Sequence, residues 1–187
     1  MNQQFVVVIW VLAVVLLGMG GLVRERAIGT SALTLALPVN RARLMAVRIG
    51  VSIVEATVLG IVPWAAVFLV SSLAKMPVSV TQVASYVLLL VGGGLIYLAM
   101  AILVSALIEG EYTAPAVAVG IVLLAASVSD AWLRQWNVWR LVSGDFSIER
   151  ATFLLSGHLP WSGIIASLSA AGLMLLACFV VVQKTEF

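Results

Sequence analysis

Charge is what this chain has least of: ten Lys and Arg and eight Asp and Glu make up 10% of its 187 residues, against 63% hydrophobic ones. A soluble domain carries about a quarter charged residues, so a water-soluble globule is excluded and a polytopic membrane protein is expected. There is one cysteine, Cys178, inside the last apolar run. That excludes an intramolecular disulfide or a cysteine-based zinc site within one chain, and Cys178 reads as a small buried hydrophobe. There is one histidine, His158, close to Ser156, Gly157, Ser162 and Gly163. Neighbours in one short loop do not supply a nucleophile, a base and an orienting group from separate elements, so hydrolase chemistry is not expected. A glycine-rich phosphate loop is also missing, because Lys184-Thr185 follows the apolar run 178–182 without the loop glycines. The chain is therefore not expected to be an enzyme. Any ATP hydrolysis belongs to a partner subunit, and no cofactor, metal or nucleic acid is implied.

What is abundant is length of apolar sequence. A helix needs about 20 mostly apolar residues to cross a bilayer. Residues 1–23 carry no charge, 45–73 are interrupted only by Arg48 and Glu55, and 76–108 carry none. Residues 112–129 hold only Tyr, small and apolar residues, and 161–182 are again uncharged. Runs this continuous argue for helices over barrel strands, because each span must satisfy its own backbone polar groups. The expectation is an all-α membrane protein forming one transmembrane domain, with five spans near 4–23, 45–72, 84–107, 113–130 and 161–182. The first run is too long and uniform for a secretory signal and is followed by Arg24, not by a small-residue cleavage site, so it is expected to be retained.

Five of the ten basic residues, Arg24, Arg26, Arg41, Arg43 and Arg48, fall between positions 24 and 48, in the segment joining the first two runs and the start of the second. Basic residues are retained on the cytoplasmic side, so this loop is expected inside and the N-terminus outside. Alternation then puts Lys75 outside, Glu109 and Glu111 inside, 131–160 outside and Lys184 inside. Within the loop, Gly29, Thr30 and Ser31 offer a helix cap, 32–37 are good helix formers, and Pro38 stops the run. Leu33, Ala36 and Leu37 share a face, which suits either lipid headgroups or a docked protein. The external stretch alternates Trp132, Arg134, Trp136, Trp139, Arg140 and Leu141. It reads as an interfacial aromatic belt, or as short helices dipping inward to cover an exit path.

Glu55 is the one acidic residue well inside an expected span, and Arg48 lies two helical turns earlier on nearly the same face. An intramembrane carboxylate is a functional candidate, here for a translocation path, or else pairs with a polar group such as Arg48 to fix helix packing. Gly92, Gly93 and Gly94, with Gly18, Gly20 and Gly21, suit close helix contact or a hinge.

The order Gly21-Leu22-Val23-Arg24-Glu25-Arg26, then Gly29-Thr30, then Leu35-Ala36-Leu37-Pro38-Val39-Asn40-Arg41, set between two apolar spans, resembles the permease subunits of type-2 ATP-binding-cassette exporters. The resemblance extends to a turn at 105–112, the 131–160 region and the short charged tail at 183–187, and so covers nearly the whole chain. Its motif is moderately specific, being built from common residues at loose spacing. It implies that 24–44 is a cytoplasmic coupling segment whose short helix seats in a groove of an ATPase subunit. Arg24, Glu25 and Arg26 would then make polar contacts there, with Gly29, Thr30, Pro38 and Arg41 shaping the segment and Leu33 and Leu37 as apolar anchors.

The resemblance also implies two ATPase partners, a second permease of the same or a sister kind, a lipid environment, and a multi-pass place in a bacterial or archaeal plasma membrane. The family usually has six spans and a cytoplasmic start, so either a first span lies upstream or this is a shortened five-span member. Two other functions fit the residues: an ATP-independent carrier or channel using Glu55, and a membrane scaffold that moves no substrate.

Overall fold

The computed structural model describes residues 3–19, 41–74, 79–108, 113–132, 137–145 and 158–184. Among these residues the secondary structure is helical, with no strand: α1 is Gln3–Met19, α2 Arg41–Leu73, α3 Val80–Leu107, α4 Thr113–Trp132, α5 Val138–Val142 and α6 Trp161–Lys184. The all-α expectation holds. Three helices, over Arg43–Leu73, Val80–Leu107 and Trp161–Val181, are long and apolar enough to cross a membrane. Two shorter apolar helices cover Gln4–Met19 and Thr113–Ser127.

Several hydroxyls inside these apolar helices are satisfied locally, although that of Ser105 is buried without a hydrogen-bond partner. Thr57 Oγ1 donates to the Ile53 carbonyl at 2.7 Å and Ser72 Oγ to that of Phe68 at 2.8 Å, which removes the penalty of a bare polar group in an apolar medium. Ser79 starts α3, its extended backbone followed by an acceptor contact from its side chain to the Thr81 N–H at 3.3 Å. Ile108 ends α3 in an extended conformation. Ser105, expected to open the turn after this span, is instead buried within the last turn of α3.

Helix α3 is the centre of the bundle. It touches each of the other five described helices, α6 most extensively. Of its most apolar window 61% is buried, against 11% for α2 and 22% for α6. Three consecutive glycines make this enclosure feasible, each turned toward a different neighbour. A Cβ on Gly92 would lie 3.2 Å from Ile164 of α6, one on Gly93 3.2 Å from both Leu141 and Val142 of α5, and one on Gly94 only 2.2 Å from the Trp10 ring of α1. Small residues let backbones approach where apolar surface alone gives no preference between protein and lipid. Gly92, Gly93 and Gly94 thus act in packing, as does Gly18, whose added Cβ would meet the Ala101 Cβ at 2.9 Å. Gly20 and Gly21 lie outside the described residues.

Contacts along the helices fix their directions. Trp10 meets Gly94 and Gly18 meets Ala101, so α1 and α3 run the same way. Ile164 meets Gly92, and the Cys178 thiol reaches toward the Ile102 carbonyl at 4.0 Å, so α6 also runs with α3. Between these levels, the Ser167 hydroxyl donates to the Gly93 carbonyl at 2.7 Å. Gly60 meets Val91 and Trp64 stacks on Tyr86, with ring centroids 4.5 Å apart, so α2 runs the opposite way.

The short helix α5 departs from the expectation of a surface belt. Leu141 and Val142 are buried against Gly93, and Leu141 also meets Gly163. Asn137 caps α5 from a buried position, its Oδ1 accepting from the Trp139 and Arg140 N–H groups at 2.9 and 3.3 Å. This part of 131–160 is therefore docked into the bundle against α3 and α6.

Candidate functional site

An open groove of about 690 Å³ runs between α1 and α2, lined by Ala13, Leu16 and Leu17 on one side and Arg48, Val51, Ser52, Glu55 and Leu59 on the other. Each wall is a helical stripe, spaced three or four residues apart, which is the pattern of side chains sharing one face. Trp10 joins the two helices that form the groove. Its indole N–H donates to the Ala56 carbonyl at 3.0 Å, and Gly60 beside it leaves room for the ring, since a Cβ there would lie 3.1 Å from the indole nitrogen. One tryptophan thereby ties α1 to α2 while its six-membered ring seats on Gly94 of α3.

Glu55 and Arg48, expected on the same face, do line the same groove. Glu55 is exposed and Arg48 half-buried. Among the described residues Glu55 forms no ion pair with Arg48 or with any other basic group. The reading in which Arg48 neutralises Glu55 to hold the fold is therefore not the arrangement found. Ser52, one turn from Glu55 and buried, adds a hydroxyl. Further along α2, Pro63 lies inside the helix and has no N–H, so the Leu59 carbonyl loses the donor that would normally come from four residues on. The α2 wall of the groove thus carries Arg48, Ser52 and Glu55 as its polar residues, bordered by the apolar Leu16, Leu17, Val51 and Leu59.

Of the other expected site residues, Arg24, Glu25, Arg26, Gly29, Thr30, Leu33, Leu37 and Pro38 lie outside the described residues, and Arg41 is the first residue of α2. His158 is exposed just before α6. Among the described residues no group of three or more His, Cys, Asp or Glu side chains comes together. Sequence reasoning singled out Glu55 and Arg48 but not Ser52, Leu59 or Pro63. The signal was present in the spacing of Arg48, Ser52 and Glu55 and in a proline two turns further on. Trp10 gave no signal, because its role depends on glycines in two other helices. No family model, no curated protein and no solved structure matches this chain.

Proposed function

We propose that this chain is the membrane-spanning permease subunit of an ATP-driven exporter of the type-2 ATP-binding-cassette class. In this reading it has five spans, pairs with a second permease to enclose the path, and docks on two separate ATPase subunits. The observation that carries the reading is the run from Gly21 to Arg41, with its acidic-basic cluster, Gly-Thr step and Pro-x-x-Arg turn, set between two apolar helices.

The helix directions support the five-span count: α1, α3 and α6 run together with α2 opposed, as the first, third and fifth of five alternating spans would. With that alternation, the C-terminal ends of α1, α3 and α6 lie at one end of the bundle. The arginine-rich segment makes that end cytoplasmic. ATP binding closes the ATPase pair, and the docked segment passes the movement to α1 and α2. The switch is driven by the difference in its contacts with the two ATPase states.

The test is co-purification in detergent of this chain with its candidate ATPase, comparing wild type with the Leu33→Asp, Leu37→Asp double variant. Loss of association and of stimulated ATPase activity, with the chain still monodisperse, is expected. Unchanged association would move the assignment to an ATP-independent carrier or a scaffold.

A further inference from the structure

We propose that the groove between α1 and α2 binds an amphiphilic organic cation drawn from the bilayer, with the Glu55 carboxylate as the counter-charge for its ammonium group. As a binding site this stands apart from the exporter reading; as a substrate class it rests on that reading.

Three observations carry it. Glu55 lies near the middle of a helix long enough to span a membrane, and it faces outward into the groove, not into the bundle. A carboxylate at that depth is costly without a partner, and among the described residues none is present as an ion pair. Ser52, one turn before Glu55, lines the same groove and carries a hydroxyl, which can accept from a group that brings N–H donors. Finally, the borders are apolar and the groove is open along its side, with exposed Leu16, Val51 and Leu59 at its rim. An alkyl chain can therefore lie on these side chains while its head reaches Glu55. The volume of about 690 Å³ falls within the usual range for small-molecule sites, roughly 300–1,000 Å³.

The basic end of α2 sets the orientation, and Arg48 marks its direction. This arginine lies two turns from Glu55, about 10 Å along the axis, toward the end of α2 that carries Arg41 and Arg43. A positive head is repelled from that end and held at the level of Glu55. An anionic amphiphile meets the opposite pattern and is excluded from the middle of the groove.

The experiment is calorimetric titration of the purified full chain in phosphatidylcholine nanodiscs with dodecylammonium at neutral pH, and with dodecanol as the uncharged chain of equal length, each against empty nanodiscs. Wild type is expected to show saturable dodecylammonium binding and none for dodecanol. Glu55→Gln, isosteric and at an exposed position, is expected to weaken binding about tenfold, the loss of about 1.4 kcal/mol. Ser52→Ala is expected to weaken it by a smaller factor. The proposal is overturned by equal affinities for wild type and Glu55→Gln, or by wild-type signals that match empty nanodiscs or do not distinguish amine from alcohol. It is also overturned if Glu55→Gln changes the oligomeric state while dodecylammonium fails to bind, since a second copy of the chain then covers Glu55. No ATPase is present in this assay, so its failure leaves the docking experiment standing, and the reverse holds too.

Discussion

Helices α2 and α3 are both long and apolar, yet one is turned mostly outward and the other is enclosed by every described neighbour. Hydrophobicity does not separate them, because lipid is as apolar as a protein interior and offers no net gain on burying leucine. What separates them is size. Where α3 is crowded it carries Gly92, Gly93 and Gly94, and side chains of three other helices, the Trp10 ring among them, come to rest there. On its outward side α2 carries Val47, Val51, Val54, Val58 and Val62, bulky and exposed. In such a bundle small residues specify enclosure and large ones specify the lipid side. A polar group exposed on the outward helix, as Glu55 is, is then not explained by packing within this bundle.

The sharpest way to break this comparison is to add one methyl group to the enclosed helix. Gly94→Ala would drive a Cβ to 2.2 Å from Cζ3 and 2.6 Å from Cη2 of Trp10, a separation that packed atoms do not adopt. A destabilisation of about 1–3 kcal/mol is expected, read as a fall in the thermal unfolding midpoint of the detergent-purified chain. The clash is with the far edge of the indole, which phenylalanine does not possess. Gly94→Ala should therefore cost less in a Trp10→Phe background, and the double-mutant cycle measures that coupling. Additive effects would mean that the seat of Trp10 on Gly94 does not fix the hub.

Trp10→Phe alone should act more mildly. It removes the indole donor from the Ala56 carbonyl, an interaction worth about 1 kcal/mol, and leaves a small void beside Gly60 and Gly94. The same unfolding measurement checks it. If the midpoint does not move, α1 and α2 are joined by their apolar contacts and not by this hydrogen bond.

How far the sequence revealed this arrangement follows from the same comparison. Helix positions were readable, since the apolar runs are long and their ends carry polar punctuation such as Ser79 at the start of α3. The shared face of Arg48 and Glu55 was readable from spacing alone. Which face of α1 meets α3 was not, because Val7, Val11 and Val14 inside and Val8, Ile9 and Leu12 outside are chemically alike. The docking of α5 was hidden for a related reason. Leu141 and Val142 sit beside Trp139 and Arg140, a mixture that suits a membrane surface equally well. Only the facing glycines, Gly93 and Gly163, give the pair somewhere to go.

The smallest expected effect has the opposite sign and completes the contrast. Gly50 lies in α2 on its exposed side, and a Cβ added there meets nothing within 4 Å. Its glycine therefore serves no close approach in this bundle, while it still carries the entropic penalty that glycine imposes inside a helix. Gly50→Ala should stabilise the chain by about 0.5 kcal/mol, a small rise in the unfolding midpoint. Set beside Gly94→Ala, the same chemical change would then raise stability on the outward helix and lower it on the enclosed one. A fall on Gly50→Ala would show that this face of α2 is covered in the assembled protein. The adjacent Glu55 groove would then have to be reconsidered as part of a contact with another chain, because Arg48 and Val51 flank Gly50 on the same helix and line it.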